Sequence, residues 1–215
     1  MVKILQFLFL LIFIPVSAQQ DYDFDYTLEY EYSGKGFPDH RRYIFVNSKD
    51  NSSRLYVWEN KDKLALRLTI GSREYFTLML RDNFFVESIA LRCPPFSLAK
   101  NGKRVKDYTI LKVQDTVINT ERLSHYILKP VNVKKIKRDN LMPEHFLVAQ
   151  HPDFNVPFIS KTHPSYAIWE AYGKIPHGVM HQHYYLDEQG KKVHSANLVQ
   201  ILKANKYISI YKSCK

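Results

Sequence analysis

The chain has 215 residues, with 31 Lys and Arg against 21 Asp and Glu, nine His and two Cys, and its formal net charge is +10. A hydrophobic fraction of 45% and a charged fraction of 24% are ordinary for globular proteins and argue against intrinsic disorder. Two Cys exclude a disulfide-dense scaffold and a four-cysteine zinc site, while 15 Tyr and 13 Phe against seven Gly favour a sheet over a helix bundle.

Residues 1–18 have the layout of a secretory signal peptide. A positively charged start precedes an apolar run from Ile4 to Ile14, and small residues end the segment at Ala18. The run is shorter than the ~20 residues that a membrane-spanning helix needs. We therefore expect cleavage after Ala18, a single β-rich domain over residues 19–215 with no integral membrane segment, and a periplasmic or secreted location.

Export would place the two cysteines, Cys93 and Cys214, in an oxidising compartment. They are candidates for a disulfide that would pin the C-terminal tail, which otherwise tends to fray. The alternative is two independent thiols, with Cys93 buried beside the two prolines that follow it. Neither lies in a Cys-x-x-Cys motif, so redox catalysis is not indicated.

The mature chain begins with strict two-residue alternation, which predicts a strand with one aromatic and one acidic face. Its apolar positions are Phe24, Tyr26, Leu28, Tyr30 and Tyr32, and the residues between them are Asp25, Thr27, Glu29 and Glu31. The aromatic face is a candidate wall for an apolar ligand, and it is equally compatible with an ordinary hydrophobic core.

Short strand patterns separated by turn residues follow along the chain. They cover residues 41–46, 54–58, 64–70, 75–80, 84–91, 108–113, 126–128, 184–186, 198–202 and 207–211. Such spacing predicts a mainly β fold, which we expect to be a curved antiparallel sheet (a half-barrel or barrel) with one or two short helices. Strands and helices do not alternate regularly, which argues against a doubly wound nucleotide-binding fold.

The segment from Leu141 to Pro164 departs from this pattern and contains four prolines. We interpret it as a short helix over Glu144–Gln150 followed by a long irregular loop. Loops of this length are uncommon unless they are functional. The segment is therefore a candidate lid or rim, with an irregular crossover between two halves of the sheet as the alternative.

Three histidines near the C-terminal hairpin, His181, His183 and His194, are the candidate metal ligands. Residues two apart on a strand share a face, and neutral imidazoles so placed hold zinc or copper. Polar residues on a solvated strand give the same pattern without any metal. Neither a His-Glu-x-x-His nor a Gly-x-Ser-x-Gly motif occurs, and the sequence indicates no cofactor.

Two basic runs, residues 100–106 and 134–138, carry much of the positive charge. They fit a solvated turn and a solvated strand edge, where Lys discourages edge pairing. The alternative is a surface that attracts anionic components of the cell envelope. No recognition motif for nucleic acid occurs, and with export expected we exclude nucleic acid as a partner.

The chain contains, in this order, a signal-peptide pattern, an aromatic strand, a meander, a Pro-rich middle and further hairpins. This order is similar to that of the outer-membrane lipoprotein carrier superfamily. It also resembles uncharacterised exported half-barrel proteins of Bacteroidota-type bacteria. Residues 172–178 and 184–190 look like the strand-turn-strand of such proteins. The resemblance implies a curved sheet whose apolar concave face is plugged by helices and binds acyl chains. The weak helix signal departs from that pattern, and no individual ligand-binding residue can be matched.

We therefore expect an exported, non-catalytic binding protein of the bacterial envelope. Its ligand would be apolar or lipid-like, such as a lipoprotein acyl chain, held by an aromatic face that includes Phe24, Tyr26, Tyr30, Tyr32 and Trp58. The alternative is a structural or interaction protein that binds an envelope protein through its sheet surface. A His-dependent metal protein is the third interpretation.

Overall fold

A computed structural model describes residues 19–35, 37–91, 95–98 and 103–211 of the chain. The expected signal peptide, Cys93 and Cys214 lie outside these residues, so cleavage and disulfide pairing stay predictions. Among the described residues, thirteen strands form one sheet in which all but one of the strand pairings are antiparallel. The predicted mainly β fold, a curved antiparallel sheet with few helices, is confirmed.

The strands are numbered in chain order. They are β1 (Gln19–Gly34), β2 (Phe37–Val46), β3 (Ser53–Asn60), β4 (Lys63–Ile70), β5 (Arg73–Leu80), β6 (Ser88–Leu91), β7 (Phe96–Leu98), β8 (Tyr108–Lys112), β9 (Thr116–Ile118), β10 (Glu121–Pro130), β11 (Glu144–Ala149), β12 (Val179–Leu186) and β13 (Lys192–Tyr211).

The helices are short. They are α1 (Arg81–Phe84), α2 (Val133–Asp139) and α3 (Tyr166–Tyr172), with a 3₁₀ turn over Val105–Asp107. A membrane crossing by a helix would need far more apolar residues in a row, and no helix of the described ranges has them.

The main path of the sheet runs in the order β7-β5-β4-β3-β2-β1-β13-β12-β11-β10-β8. Two meanders form its halves, and the long strand β13 joins them because it pairs with β1 from Gln19 opposite Tyr211 to Gly34 opposite His194. The small strands β9 and β6 pair with β10 and β13, and the β6 pairing is parallel.

The predicted helix over Glu144–Gln150 is wrong, because Glu144–Ala149 forms strand β11. This strand lies between β10 and β12, and all six of its residues are buried. A strand that is buried on both faces shows a continuous apolar run instead of alternation, and periodicity cannot separate such a run from a helix. The expected strand edge over residues 134–138 is likewise wrong, since those residues belong to helix α2.

Residues 150–172, here called the plug segment, fold back across one face of the sheet, here called the plug face. Phe154 packs on the Tyr26 ring, with 4.9 Å between the centroids. At the other end of the segment, Trp169 of α3 is fully buried and packs edge-on against Phe146 of β11 at 5.6 Å. The Pro-rich segment is therefore bound tightly to the sheet as a plug.

Gly178 lets the chain pass from the plug segment into β12. Its φ is +127°, and a Cβ at this position would lie 2.1 Å from the carbonyl oxygen of Ala149 in β11. Any other residue would meet both the strained backbone and this clash.

A second core lies on the opposite face of β3, β4 and β5. Its fully buried members include Leu55, Leu66 and Leu68, which pack against Phe84 of α1 and Ile208 of β13. The sheet therefore carries apolar packing on both faces at different places, and the plug covers only part of its own face.

Candidate functional site

The aromatic residues of β1 do not stay on one face, contrary to the predicted single stripe. Phe24 pairs with Lys206 and Tyr26 with Lys203, so the register shifts by one residue between the two pairs. A β-bulge of this kind reverses which face the side chains take. Phe24 consequently packs with Leu55 in the opposite core, while Tyr26 packs under the plug.

Tyr26 and Tyr30 form hydrogen bonds on the plug face. The Tyr26 hydroxyl donates to the Asp153 carboxylate in the plug segment, and the Tyr30 hydroxyl donates to the Met180 carbonyl oxygen at 2.6 Å. Tyr30 is 1% exposed, and burial raises the pKa of its hydroxyl well above the ordinary value. These two members of the predicted aromatic wall are thus covered by the chain itself.

Tyr32 lies where the plug ends and lines a cavity of about 290 Å³ on the plug face. The walls come from β1, β2, β12 and β13. The lining residues are Tyr32, Ser33, Gly34, His40, Arg42, His183, Tyr185, His194, Ser195 and Ala196. Of the five predicted ligand-binding residues, Tyr32 is the one that reaches this cavity.

Trp58 lines a neighbouring cavity of about 610 Å³, where β2 and β3 separate. The two strands pair only from Tyr43 to Phe45, so the ends beyond Tyr43 splay apart. Trp58 also contacts Phe76 of β5, with 6.1 Å between the ring centroids. Phe76 and Leu78 are 42% and 46% exposed, so an apolar surface continues from the cavities across the uncovered plug face.

The strand pairings place these side chains on one face. Residues directly opposite in an antiparallel pair share a face, as do residues two apart on one strand. Tyr30 pairs with Arg42, and Ala65 pairs with both Trp58 and Leu78. The exposed surface of β3 to β5 is therefore an extension of the face that the plug covers elsewhere.

A buried polar cluster lies beside the 290 Å³ cavity. Glu144 of β11 is 1% exposed and forms an ion pair with Lys103. Its second oxygen lies 3.5 Å from Nε2 of His183, which lines the cavity and stacks on Phe146 with 4.7 Å between centroids. Burial lowers the pKa of His183 to about 4, and the positive charge of Lys103 adds to this effect. His183 is therefore neutral at neutral pH.

The sequence did not indicate Glu144 or Lys103 as a pair. The sequence pattern predicts a helix at Glu144 and a solvated turn for the basic run that contains Lys103. Their separation in sequence leaves no local pattern to connect them. The one sequence feature that points to this pair is the position of Glu144, a single acidic residue at the start of an apolar run.

The structure does not bring the three candidate metal ligands into one site. His183 and His194 line the 290 Å³ cavity, whereas Nε2 of His181 lies 4.0 Å from a carboxylate oxygen of Glu121. Over residues 19–35, 37–91, 95–98 and 103–211, no group of three or more His, Cys, Asp or Glu is placed to hold a metal ion.

We expect the stability of the folded protein to fall as the pH drops from about 6.5 towards 4. The unfolded chain binds a proton at His183 near pH 6.5, while burial holds the folded pKa at about 4. The contribution is therefore complete above pH 6.5 and is lost through this window, about 3 kcal/mol from His183 alone. Burial lowers the pKa of His163 to about 3, and this adds to the loss.

Urea unfolding across this pH range measures the effect. A His183→Phe variant keeps a ring stacked on Phe146 and should show a shallower loss of stability in acid than the parent. His177 is exposed, so His177→Gln serves as the control and should follow the parent curve. Equal pH dependence in His183→Phe and the parent would contradict the assignment.

Comparison with known proteins finds similarity at the level of three-dimensional structure alone. No family model and no curated protein matches the chain. One solved structure is the MucA/MucB complex of Pseudomonas aeruginosa, which is 9% identical with a TM-score of 0.44 and aligns with 87% of this chain and 53% of that chain. This chain thus spans about half the length of the MucB structures it matches.

Two other solved structures cover most of both chains. An uncharacterised conserved protein from Thermus thermophilus is 6% identical, covers 88% of this chain and 81% of its own, and has a TM-score of 0.47. A LolA superfamily protein from Nitrosomonas europaea is 9% identical, covers 83% and 84%, and has a TM-score of 0.31. The matches include the class of protein that the sequence layout resembles.

Proposed function

We propose that this protein is an exported binding protein of the bacterial envelope that holds an apolar or lipid-like ligand on the uncovered part of the plug face. The observation that carries the proposal is that the 290 Å³ and 610 Å³ cavities share His40 and Arg42, and that Trp58 of the second cavity contacts the exposed Phe76. Contiguous exposed apolar surface beside a cleft is typical of ligand-binding sites.

The size of the cavity suggests how the ligand lies. Ligand pockets usually measure about 300–1,000 Å³, so 290 Å³ holds only part of an acyl chain. The rest of the chain would lie along Trp58, Phe76 and Leu78. Each buried methylene contributes roughly 0.8 kcal/mol, and this apolar burial would be the main source of affinity.

The envelope location follows from the expected signal peptide over residues 1–18 and the basic net charge of +10. The plug segment shields the part of the face around Tyr26 and Tyr30 in the absence of ligand. The part lined by Tyr32 and Trp58 stays open and would accept the ligand.

The first test is the binding of a short-chain neutral monoacylglycerol, measured by isothermal titration calorimetry. Leu78→Ser removes apolar surface from the plug face and should weaken binding about fivefold, as expected for partial loss of a buried leucine contact. Leu202→Ser is the matched control, because Leu202 is 49% exposed but pairs with Thr27, whose side chain lies on the opposite face.

No binding to the parent protein, or equal weakening by Leu78→Ser and Leu202→Ser, would refute the proposed site. Native mass spectrometry of the protein isolated from its own envelope adds a second readout. A co-purifying lipid supports the proposal. A stoichiometric protein partner without lipid would favour the interaction-protein alternative instead.

A further inference from the structure

Three arginines on adjacent strands lie on the plug face among its aromatic residues. Arg42 of β2 is two residues from Ile44, which pairs with Tyr56 of β3. Tyr56 pairs in turn with Arg67 of β4, and Arg54 is two residues from Tyr56 on the same strand. Pairing and spacing thus put all three guanidinium-bearing side chains on one face around Tyr56.

Aromatic rings support two of these arginines. The Arg42 guanidinium carbon lies 4.7 Å from the centre of the Tyr32 ring and 5.6 Å from that of Trp58. The Arg67 guanidinium carbon lies 4.7 Å from the centre of the Tyr56 ring. Stacking of this kind orients a guanidinium while leaving its edge free to donate hydrogen bonds.

In the part of the chain that the structure describes, no ion pair joins Arg42, Arg54 or Arg67 to an Asp or Glu. The Nε atoms of Arg54 and Arg67 are buried without a hydrogen-bond partner. A buried N–H group without an acceptor lowers the stability of the fold, so we expect a ligand to supply the missing acceptors.

Few protein acceptors compete for the remaining donors. The Arg42 Nε donates to Nε2 of His40 at 3.1 Å, and one terminal nitrogen of Arg54 donates to the Phe158 carbonyl oxygen at 3.1 Å. Among the described residues, the Arg67 guanidinium donates to none. Several N–H groups of the cluster are therefore available to a ligand.

All three positive charges act on the Tyr32 hydroxyl. Burial raises the pKa of the Tyr32 hydroxyl, and Tyr56 adds to the rise. Arg42, Arg67 and Arg54 all act in the opposite direction on this one group. Tyr32 also lines the 290 Å³ cavity, so the positive potential extends to the mouth of the proposed apolar site.

We propose that Arg42, Arg54 and Arg67 form a phosphate-binding site, so that the ligand of the plug face is an amphiphile with a phosphate group. Guanidinium groups present paired donors that match phosphate oxygens, and three of them more than offset the charge of about −1.5 to −2 on a phosphate monoester. The amphiphile part of the proposal rests on the proposed function, while the phosphate site itself stands without it.

The experiment compares three probes by isothermal titration calorimetry. They are a neutral monoacylglycerol, the lysophosphatidic acid with the same acyl chain, and inorganic phosphate. We expect the parent to bind the lysophosphatidic acid at least about tenfold more tightly than the neutral lipid, the size of a charged hydrogen-bonded contact. Added salt should weaken binding of the phosphate probe and leave the neutral lipid unaffected.

Arg42→Gln and Arg67→Gln should each reduce the affinity for lysophosphatidic acid about tenfold. Arg67, which lines neither cavity, should change the affinity for the neutral lipid less than about twofold when replaced with Gln. Arg67→Lys, which keeps the charge but loses the paired donors, should lie between Arg67→Gln and the parent. Arg122→Gln is the control, since Arg122 is an exposed arginine of β10 that pairs with Asp115.

The outcomes separate the two proposals. Equal affinity for the two lipids, with no effect of the arginine variants, overturns the phosphate site and leaves the proposed apolar site intact. Arginine-dependent binding of inorganic phosphate without any lipid binding upholds the phosphate site and refutes the lipid-binding function. Uniform weakening by Arg122→Gln and the two cluster variants shows a long-range charge effect and also overturns the site.

Discussion

Replacing Lys103 with methionine will lower the free energy of unfolding by about 3–5 kcal/mol, because it leaves a buried carboxylate without its counterion. The Glu144 side chain is 2% exposed, and that of Lys103 is 24% exposed. The nearby His183 is neutral at neutral pH, since burial lowers its pKa to about 4. In the parent protein Lys103 is therefore the residue that supplies the positive charge to Glu144.

Denaturant unfolding at neutral pH measures this loss. The double variant Lys103→Met/Glu144→Leu should recover much of it, because an apolar pair of similar volume removes both desolvation penalties. Lys106→Met is the control, because Lys106 is exposed on the same basic run. If Lys103→Met costs no more than this control, the ion pair does not stabilise the fold.

Replacing Trp169 with alanine will cost about 3–5 kcal/mol of stability and loosen the plug segment. The indole is 0% exposed, and its ring centroid lies 4.8 Å from that of Phe158 and 5.3 Å from that of Tyr126. The cavity left behind would sit between α3 and the strands β10 and β11. Tyr126 and Phe146, two of the rings around it, belong to strands and cannot fill the cavity without moving the sheet.

Hydrogen exchange with mass spectrometry locates this effect. Amides of residues 150–172 should exchange faster in Trp169→Ala than in the parent, while those of β3 and β4 should keep their protection. Tyr172→Ala is the control on the same helix, because Tyr172 is 47% exposed. Uniform acceleration over both cores would show that the plug does not open as a separate unit.

The strands of the first meander could be predicted from the sequence because their signals are local. In residues 54–58 buried and half-buried positions alternate, and in residues 64–70 leucine or isoleucine alternates with smaller or polar residues, so both segments show the period of a strand. The turns between them carry residues with strong turn preferences, and these fix where one strand ends and the next begins. Both strands form where the pattern placed them.

Strand β11 could not be predicted, since burial on both faces removes the alternation that identifies a strand. The pattern predicts two separate strands within β13, because the four residues from Lys203 to Lys206 interrupt its apolar runs. Pairing with β1 carries the strand through that interruption. In both places a neighbouring strand supplies the hydrogen bonds that decide the structure.

For the candidate site, too, the sequence predicts some features and the tertiary structure decides the others. The sequence by itself determined that the chain forms a curved β-sheet and that Tyr32 and Trp58 belong to apolar-aromatic strand patterns. Only the tertiary structure decided which aromatic residues stay accessible, because one bulge turns Phe24 to the opposite core and the plug covers Tyr26 and Tyr30. It also brought together Arg42, Arg54 and Arg67, since strand register across three strands sets that proximity and no local pattern encodes it.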